Sequence, residues 1–342
     1  KNFTAYAKTL YESLKKYHPG IEFIYFLCDG LHPEYDLQSL PFKVIQLDEL
    51  DIPKREEMAQ RYNITEFNTA IKPYAFSHLF KKLGRQNVVY LDPDIILLSP
   101  LQEVWQEFSQ GAECVLTPHI LEPAEKVHFT DKNFLQYGIF NLGFIGLRNT
   151  PEVRRIVEWW ERRLVYGCTI DLAKGLFVDQ KWVDLFPAFI KNVSILHHPG
   201  YNVAYWNLPQ RKIRFSEGSW YANNQPLRFV HFSGHEVNDP VRFTRHVPTI
   251  TRDTIGDLKY LVDWFHEQLF ANGHEHYSQL PYSFSWNGAS GVNLHTPMPA
   301  SQAGAIENKQ PGETSPADAE PLEAAGSSAR KANIFRQVRD AA

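Results

Sequence analysis

The feature that most constrains this chain is a pair of carboxylates set between two apolar runs. Residues 87–98 read Asn-Val-Val-Tyr-Leu-Asp-Pro-Asp-Ile-Ile-Leu-Leu. The β-branched and aromatic run at 88–91 predicts a buried strand feeding directly into Asp92 and Asp94. In an extended chain residues i and i+2 point to the same side, so both carboxylates can converge on one cation. Pro93 fixes the backbone between them and removes a donor. Burying unpaired charge is costly, which sets this pair apart from carboxylates on a solvated loop. Ligands of open α/β sheets bind at the carboxyl ends of strands. Carboxylates suit hard cations such as Mg²⁺ or Mn²⁺, which also bind phosphate oxygens. The competing reading is two Asp residues that cap turns or helix starts.

The rest of the pattern supplies a scaffold for such a site. Amphipathic periodicity predicts helices at 5–17, 53–62, 71–83, 152–166, 180–189 and 255–270. Pro73 is expected near a helix start, and Gly84 ends that helix. Strands are expected at 21–28, 42–47, 88–91, 113–117, 140–147, 193–197 and 227–232. Strands alternating with helices imply an α/β fold, with a mixed, mostly parallel sheet flanked by helices. Residues 1–295 are expected to form one domain. From 296 to 342 the chain turns rich in Ala, Glu, Pro, Gly and Ser, and it reads as a disordered tail or linker. The start at Lys1 without Met, together with that tail, reads as a piece of a longer protein.

Composition removes several function classes. The net charge of −4 leaves no basic footprint for nucleic acid. No apolar run approaches the roughly 18–20 residues of a membrane span. Cys28, Cys114 and Cys168 are odd in number with no CxxC spacing, which argues against a disulfide framework or a zinc site and fits a reducing cytoplasm. Aromatics make up 14% of the residues, which reads first as a well-packed core; the sharper alternative is that some rings line a sugar-binding cleft.

Four segments, in order, resemble GT-A glycosyltransferases, in particular the retaining class typified by glycosyltransferase family eight. Tyr90-Leu-Asp-Pro-Asp94 resembles the acidic motif that binds metal and donor diphosphate. Phe140-Asn-Leu-Gly-Phe-Ile-Gly-Leu147 is similar to the strand lying over the donor sugar. Val178-Asp-Gln-Lys-Trp-Val183 is similar to the Asp-Gln helix start, and His231-Phe-Ser-Gly234 to the segment whose His completes the metal shell.

The resemblance implies a Rossmann-like GT-A fold. It implies a transferase moving a hexose or related sugar from a nucleoside-diphosphate donor, of UDP or GDP type, to a glycan or glycolipid acceptor. Mn²⁺ or Mg²⁺ would be held by Asp92, Asp94 and His231. Lys72, Asn141, Gly143 and Gly234 would contact the donor, Asp179 its sugar, and Gln180 would face the anomeric carbon. Read as residues alone, Asp179 is also a plain N-cap, Lys72 a solvated helix lysine, and Asn141 with Gly143 a bulge or tight packing. Residues 197–207, dense in polar and aromatic groups, offer Trp206 and His198 as acceptor or donor-sugar contacts; the alternative is plain core and turn. A retaining reaction needs no strong base at the acceptor; an inverting one would use Asp179 or Glu236. By resemblance the setting is a bacterial polysaccharide or glycolipid pathway, in the cytoplasm, with peripheral membrane contact.

Two departures stand out. The family opens with a strand that binds the nucleotide base, whereas this sequence starts at the helix after it, so the sheet is expected to lack that strand and Asp29 to contact base or ribose. The family's Lys-Pro-Trp phosphate grip is absent, and His235, Arg242 or Arg245 stands in its place. The alternatives are a sugar-nucleotide nucleotidyltransferase, which would carry a Gly-rich phosphate loop, and a degenerate, non-catalytic carbohydrate-binding domain.

Overall fold

The computed structural model describes residues 1–124, 129–239 and 241–284. The expected domain end at 295 and the tail at 296–342 lie outside the described residues. Helix α1 (Thr4–Tyr17) buries Ala5, Leu10 and Leu14 on one face. β1 (Ile24–Leu27) and β2 (Lys43–Gln46) follow and pair in parallel. Next come α2 (Arg55–Arg61), α3 (Ile64–Ala70) and α4 (Lys72–Lys81). The short α3 was not expected; a capping box between Asn63 and Glu66 starts it. Pro73 sits in the first turn of α4, where its missing N–H leaves no bond unmade.

The centre is built from β3 (Asn87–Leu91), β4 (Ile95–Leu97), α5 (Gln102–Ser109), β5 (Cys114–Pro118), α6 (Asp131–Tyr137), β6 (Phe140–Arg148) and α7 (Pro151–Gly167). After the small pair β7 (Ile170–Asp171) and β8 (Leu176–Phe177) come α8 (Gln180–Val183), α9 (Phe186–Phe189) and β9 (Val193–Ile195). The helix expected at 180–189 is thus two short helices, with Pro187 in the first turn of the second. The described chain closes with β10 (Ile213–Ser216), β11 (Ser219–Ala222), β12 (Gln225–Pro226), β13 (Phe229–His231), α10 (Leu258–Ala271) and α11 (His274–Gln279).

The main sheet has the order β3-β6-β5-β9. The α/β class holds and the sheet is mixed, but its parallel share is smaller than expected. β6 runs antiparallel to both β3 and β5, and only β9 is parallel to its neighbour β5. Strand–helix alternation reveals which elements exist; it does not fix the direction in which the chain returns through α6 into β6.

β6 is buried on both faces because helices cover both. Ile145 and Leu147 pack with Phe76 and Phe80 of α4 and Val153, Ile156 and Trp160 of α7. Phe144 points the other way, into Leu10 and Leu14 of α1 and Val104 and Phe108 of α5. Side chains this deeply buried each contribute about 1.5–3 kcal/mol. This double layer is the rigid floor from which Asp92 and Asp94 project.

Candidate metal centre

Two strand pairings create the centre. The Asp92 N–H donates to the Gly143 carbonyl at 2.8 Å, which extends the β3-β6 ladder by one residue past Leu91. Beyond the turn, β4 pairs antiparallel with β13, and the register sets His231 opposite Ile95. His231 therefore arrives beside Asp94. Its Nε2 lies 3.2 Å from Asp94 Oδ1 and 3.7 Å from Asp92 Oδ2. Among the described residues these three form the one group of three or more His, Cys, Asp or Glu placed to share an ion, with ligand atoms all within 4.8 Å of one another. Two carboxylate oxygens and one imidazole nitrogen fit Mn²⁺ or Mg²⁺ chemically, the imidazole favouring Mn²⁺.

The surroundings tune each member. Tyr90 donates its hydroxyl to Asp92 Oδ1 at 2.6 Å. Burial first, and then Asp92, raise the Tyr90 phenol well above its ordinary range, so it remains a donor. Burial alone lowers the His231 imidazole, but Asp94, followed by Asp92, more than offsets it, and the net direction is upward. Gly143 makes the approach of His231 sterically possible: a Cβ there would lie 2.4 Å from His231 Cε1.

Lys72 and Asp179 adjoin Tyr90. Lys72 Nζ pairs with Asp179 Oδ2 at 2.6 Å, donates to the Leu142 carbonyl at 2.8 Å and lies 4.4 Å from the centre of the Tyr90 ring. Neither expectation that makes these residues plain surface features describes the structure. Lys72 is buried, and Asp179 makes no N-cap bond. Burial raises the Asp179 carboxyl and Lys72 only partly opposes it. Gln180, next in sequence, is held by the Leu142 N–H at 3.4 Å and the Tyr137 carbonyl at 2.8 Å. Lys72, Asp179 and Gln180 thus connect to Asp92, Asp94, Asn141, Gly143 and His231 through Tyr90 and Leu142.

Other expected residues are placed differently. Both Asp29 oxygens are occupied: Oδ2 pairs with Lys1 at 2.8 Å, and Oδ1 accepts from the N–H groups of Gly30 and Ser283. His198 belongs to a cluster with Glu103, Arg228 and Tyr201 and shares no hydrogen bond or ion pair with the three-residue centre. Trp206 stands edge-on to His231, with ring centroids 5.3 Å apart, and its buried Nε1 has no hydrogen-bond partner among the described residues. Gly234 adopts φ +69°, and a Cβ there would also meet His246 at 2.3 Å.

Of the three stand-ins for a phosphate grip, two are engaged elsewhere. His235 Nδ1 donates to the Phe243 carbonyl, and its other nitrogen meets His266. Arg242 is tied to Asp239, with Glu236 nearby. The Arg245 guanidinium has neither an ion pair nor a hydrogen bond among the described residues. Its backbone N–H is anchored on the Gly234 carbonyl at 2.8 Å. Arg245 and Asp94 both act electrostatically on Tyr6 and His246, so they share one neighbourhood.

Sequence reasoning missed His119, and it singled out the segment holding Asn202 without placing Asn202 beside His231. Both are buried beneath the centre, His119 6% and Asn202 0% exposed. Asn202 adopts φ +52°, a left-handed conformation that Asn tolerates better than most residues. The dense polar segment around it was the available signal. His119 carried none.

No family model matches the chain. It is 27% identical over 228 residues to the uncharacterized protein YfnD of Bacillus subtilis (strain 168), spanning 64% of this chain and 68% of that one. It is 22% identical over 199 residues to the uncharacterized protein YfnF of the same organism, spanning 57% and 66%. Among solved structures it is similar to galactosyltransferase LgtC in complex with donor and acceptor sugar analogs, with a TM-score of 0.45 and 14% identity over 79% of this chain and 92% of that one. Mouse xyloside xylosyltransferase 1 in its apo form gives a TM-score of 0.39 and 15% identity over 68% and 93%. A glycosyltransferase involved in the glycosylation of the major capsid of PBCV-1 gives 0.38 and 11% over 68% and 87%. No helix among the described residues is long and apolar enough to cross a membrane.

Proposed function

We propose that this chain is a metal-dependent glycosyltransferase of the GT-A type, moving a sugar from a nucleoside-diphosphate donor to a hydroxyl of a glycan or glycolipid acceptor. The convergence of Asp92, Asp94 and His231 at the end of a buried strand carries the reading. The four-segment resemblance supports it, because the segments that resemble the family are the ones that touch one another here. Mn²⁺ or Mg²⁺, when bound, supplies Lewis-acid stabilisation of charge on the leaving diphosphate.

The chain's own groups do the remaining work. Asp92 and Asp94 present carboxylate oxygens, and His231 presents Nε2. Arg245 supplies the positive charge that faces the diphosphate, in place of the family's Lys-Pro-Trp. Lys72 holds Asp179 beside Tyr90 rather than facing phosphate itself. Asp179 and Gln180 border the donor sugar, with Trp206 on the acceptor side. In the retaining version of the reaction the leaving phosphate accepts the acceptor's proton, and Gln180 orients the sugar. NMR of the product's anomeric configuration distinguishes this from inversion.

The test is thermal stability with UDP or GDP, with and without Mn²⁺. A ligand that binds only the folded state raises the melting temperature. A Mn²⁺-dependent shift for one nucleotide, absent in Asp94→Ala, supports the proposal and identifies the base. No shift with either nucleotide overturns it.

A further inference from the structure

Behind the metal centre lies a buried polar network that none of the expected donor contacts explains. Thr117, His119, Asn141, Asn202, Asn207 and His231 are all at least nine-tenths buried, and they hydrogen-bond to one another. A network of this kind is stable only if its donors and acceptors match throughout.

The matching can be worked out from one backbone group. The Gly143 N–H can only donate, and it meets Asn141 Oδ1 at 3.0 Å, which fixes the orientation of that amide. Asn202 Nδ2 then donates to Asn141 Oδ1 and to Thr117 Oγ1, both at 3.1 Å, which fixes the second amide. Its own oxygen is left facing His231. So His231 Nδ1 meets two amide oxygens, Asn141 Oδ1 at 3.2 Å and Asn202 Oδ1 at 3.4 Å. Neither oxygen can donate, so Nδ1 must carry a proton; Nε2 instead faces Asp94 Oδ1 at 3.2 Å, on the side where a cation would be held. The far end agrees: His119 Nδ1 faces the Ile139 carbonyl, leaving Nε2 to accept from Asn141 Nδ2 at 3.3 Å.

We propose that Asn141 and Asn202 are positioning residues that hold a proton on His231 Nδ1, so that Nε2 is the nitrogen left to give its lone pair to the cation held with Asp92 and Asp94. Its metal half rests on the proposed function; its proton half does not. Asn141 is then turned away from the donor sugar and acts through His231. Gly143 serves twice, as the donor that sets the amide and as the gap that admits the ring. Partners of this kind typically account for about 10- to 100-fold in metal affinity.

The experiment has two readouts. Nitrogen-15 NMR of the His231 ring in the metal-free protein is expected to show a proton on Nδ1, whatever Nε2 carries toward Asp94 Oδ1. Mn²⁺ binding without nucleotide, followed by EPR, is expected to weaken about 10- to 100-fold in Asn141→Leu and Asn202→Leu. Asn141→Asp keeps an acceptor for Nδ1–H, so it should retain the Nδ1 proton and bind Mn²⁺ within a few-fold of the parent. A purely structural role predicts the reverse ranking, since a buried carboxylate costs more than a buried Leu. A bare Nδ1 in the parent protein, or unchanged Mn²⁺ affinity in both Leu variants, overturns the inference and leaves the proposed function standing. If the parent binds no Mn²⁺, the proposed function and the metal half fall together, and the ring spectrum still decides the proton half.

Discussion

Lys72 and Asp179 form a buried ion pair, Nζ to Oδ2 at 2.6 Å, with each side chain 2% exposed. One partner comes from the first turn of α4 and the other from the residue before α8. Removing one member leaves an uncompensated charge in a low-dielectric setting. Lys72→Met or Asp179→Leu alone should therefore destabilise the fold by about 3–5 kcal/mol, while the double variant should recover most of the loss. Urea denaturation of the four proteins forms the double-mutant cycle. Equal, additive losses would show that the pair is not coupled.

The carboxylate pair should be indispensable for cation binding, and Tyr90 should not. Asp92→Ala and Asp94→Ala are expected to abolish the Mn²⁺-dependent rise in melting temperature, which at a hundred times Kd corresponds to about 2.7 kcal/mol. Tyr90→Phe removes one hydrogen bond to Asp92 and should weaken Mn²⁺ binding by about tenfold or less, the effect of about 1 kcal/mol. Differential scanning fluorimetry with and without Mn²⁺ checks both.

Gly143→Ala should damage the centre with little damage elsewhere. The added methyl would lie 2.4 Å from His231 Cε1 and 2.6 Å from Nδ1, so the ring must move. A fold loss of about 1–3 kcal/mol is expected from the overpacking. Loss of Mn²⁺ binding should accompany it even under conditions where the variant is fully folded by circular dichroism.

Arg245 and Arg242 should behave differently. Arg245→Ala is expected to weaken UDP or GDP binding about tenfold, near 1.4 kcal/mol. Arg242→Ala should leave it unchanged, because Arg242 is already neutralised by Asp239. Calorimetric titration of the two variants checks this; equal losses would return both arginines to the same role.

Acid should destabilise the fold partly through His119. Burial holds its imidazole down at about 4, against 6.5 in the unfolded chain. Between these values the unfolded state binds more protons than the folded state. Stability from this ring is therefore complete above about 6.5 and is lost as pH falls toward about 4, with a slope of up to about 1.4 kcal/mol per pH unit. His119→Gln should flatten the dependence of unfolding free energy on pH across that window.

Much of the centre was legible because burial imposes strict chemistry. Two Asp residues between Val-Val-Tyr-Leu and Ile-Ile-Leu-Leu need a partner, and His231 was singled out by the family resemblance of its segment. The Lys72–Asp179 pairing was not legible, although both residues were singled out, since each alone satisfies a simpler surface role. The amides that set the His231 proton depend on β6, β13 and the loop around Asn202 meeting, and they leave no spacing pattern. In the fold, the direction of β6 is a property of the connection through α6, not of the strand's composition. The β11-β12 hairpin did carry a signal that went unused: Asn223-Asn224, both at positive φ, is a two-residue turn of the kind that reverses adjacent strands.

The β4-β13 register also has a consequence for biogenesis. Asp94 and His231 lie far apart along the chain, yet a single antiparallel pairing brings them together. While the polypeptide is emerging from the ribosome, the carboxylates are made long before their imidazole partner, so a nascent chain stopped short of β13 cannot assemble the three-ligand cluster. Cation capture is thereby a late event, and a bound ion would act as a clasp between the early and late halves of the molecule.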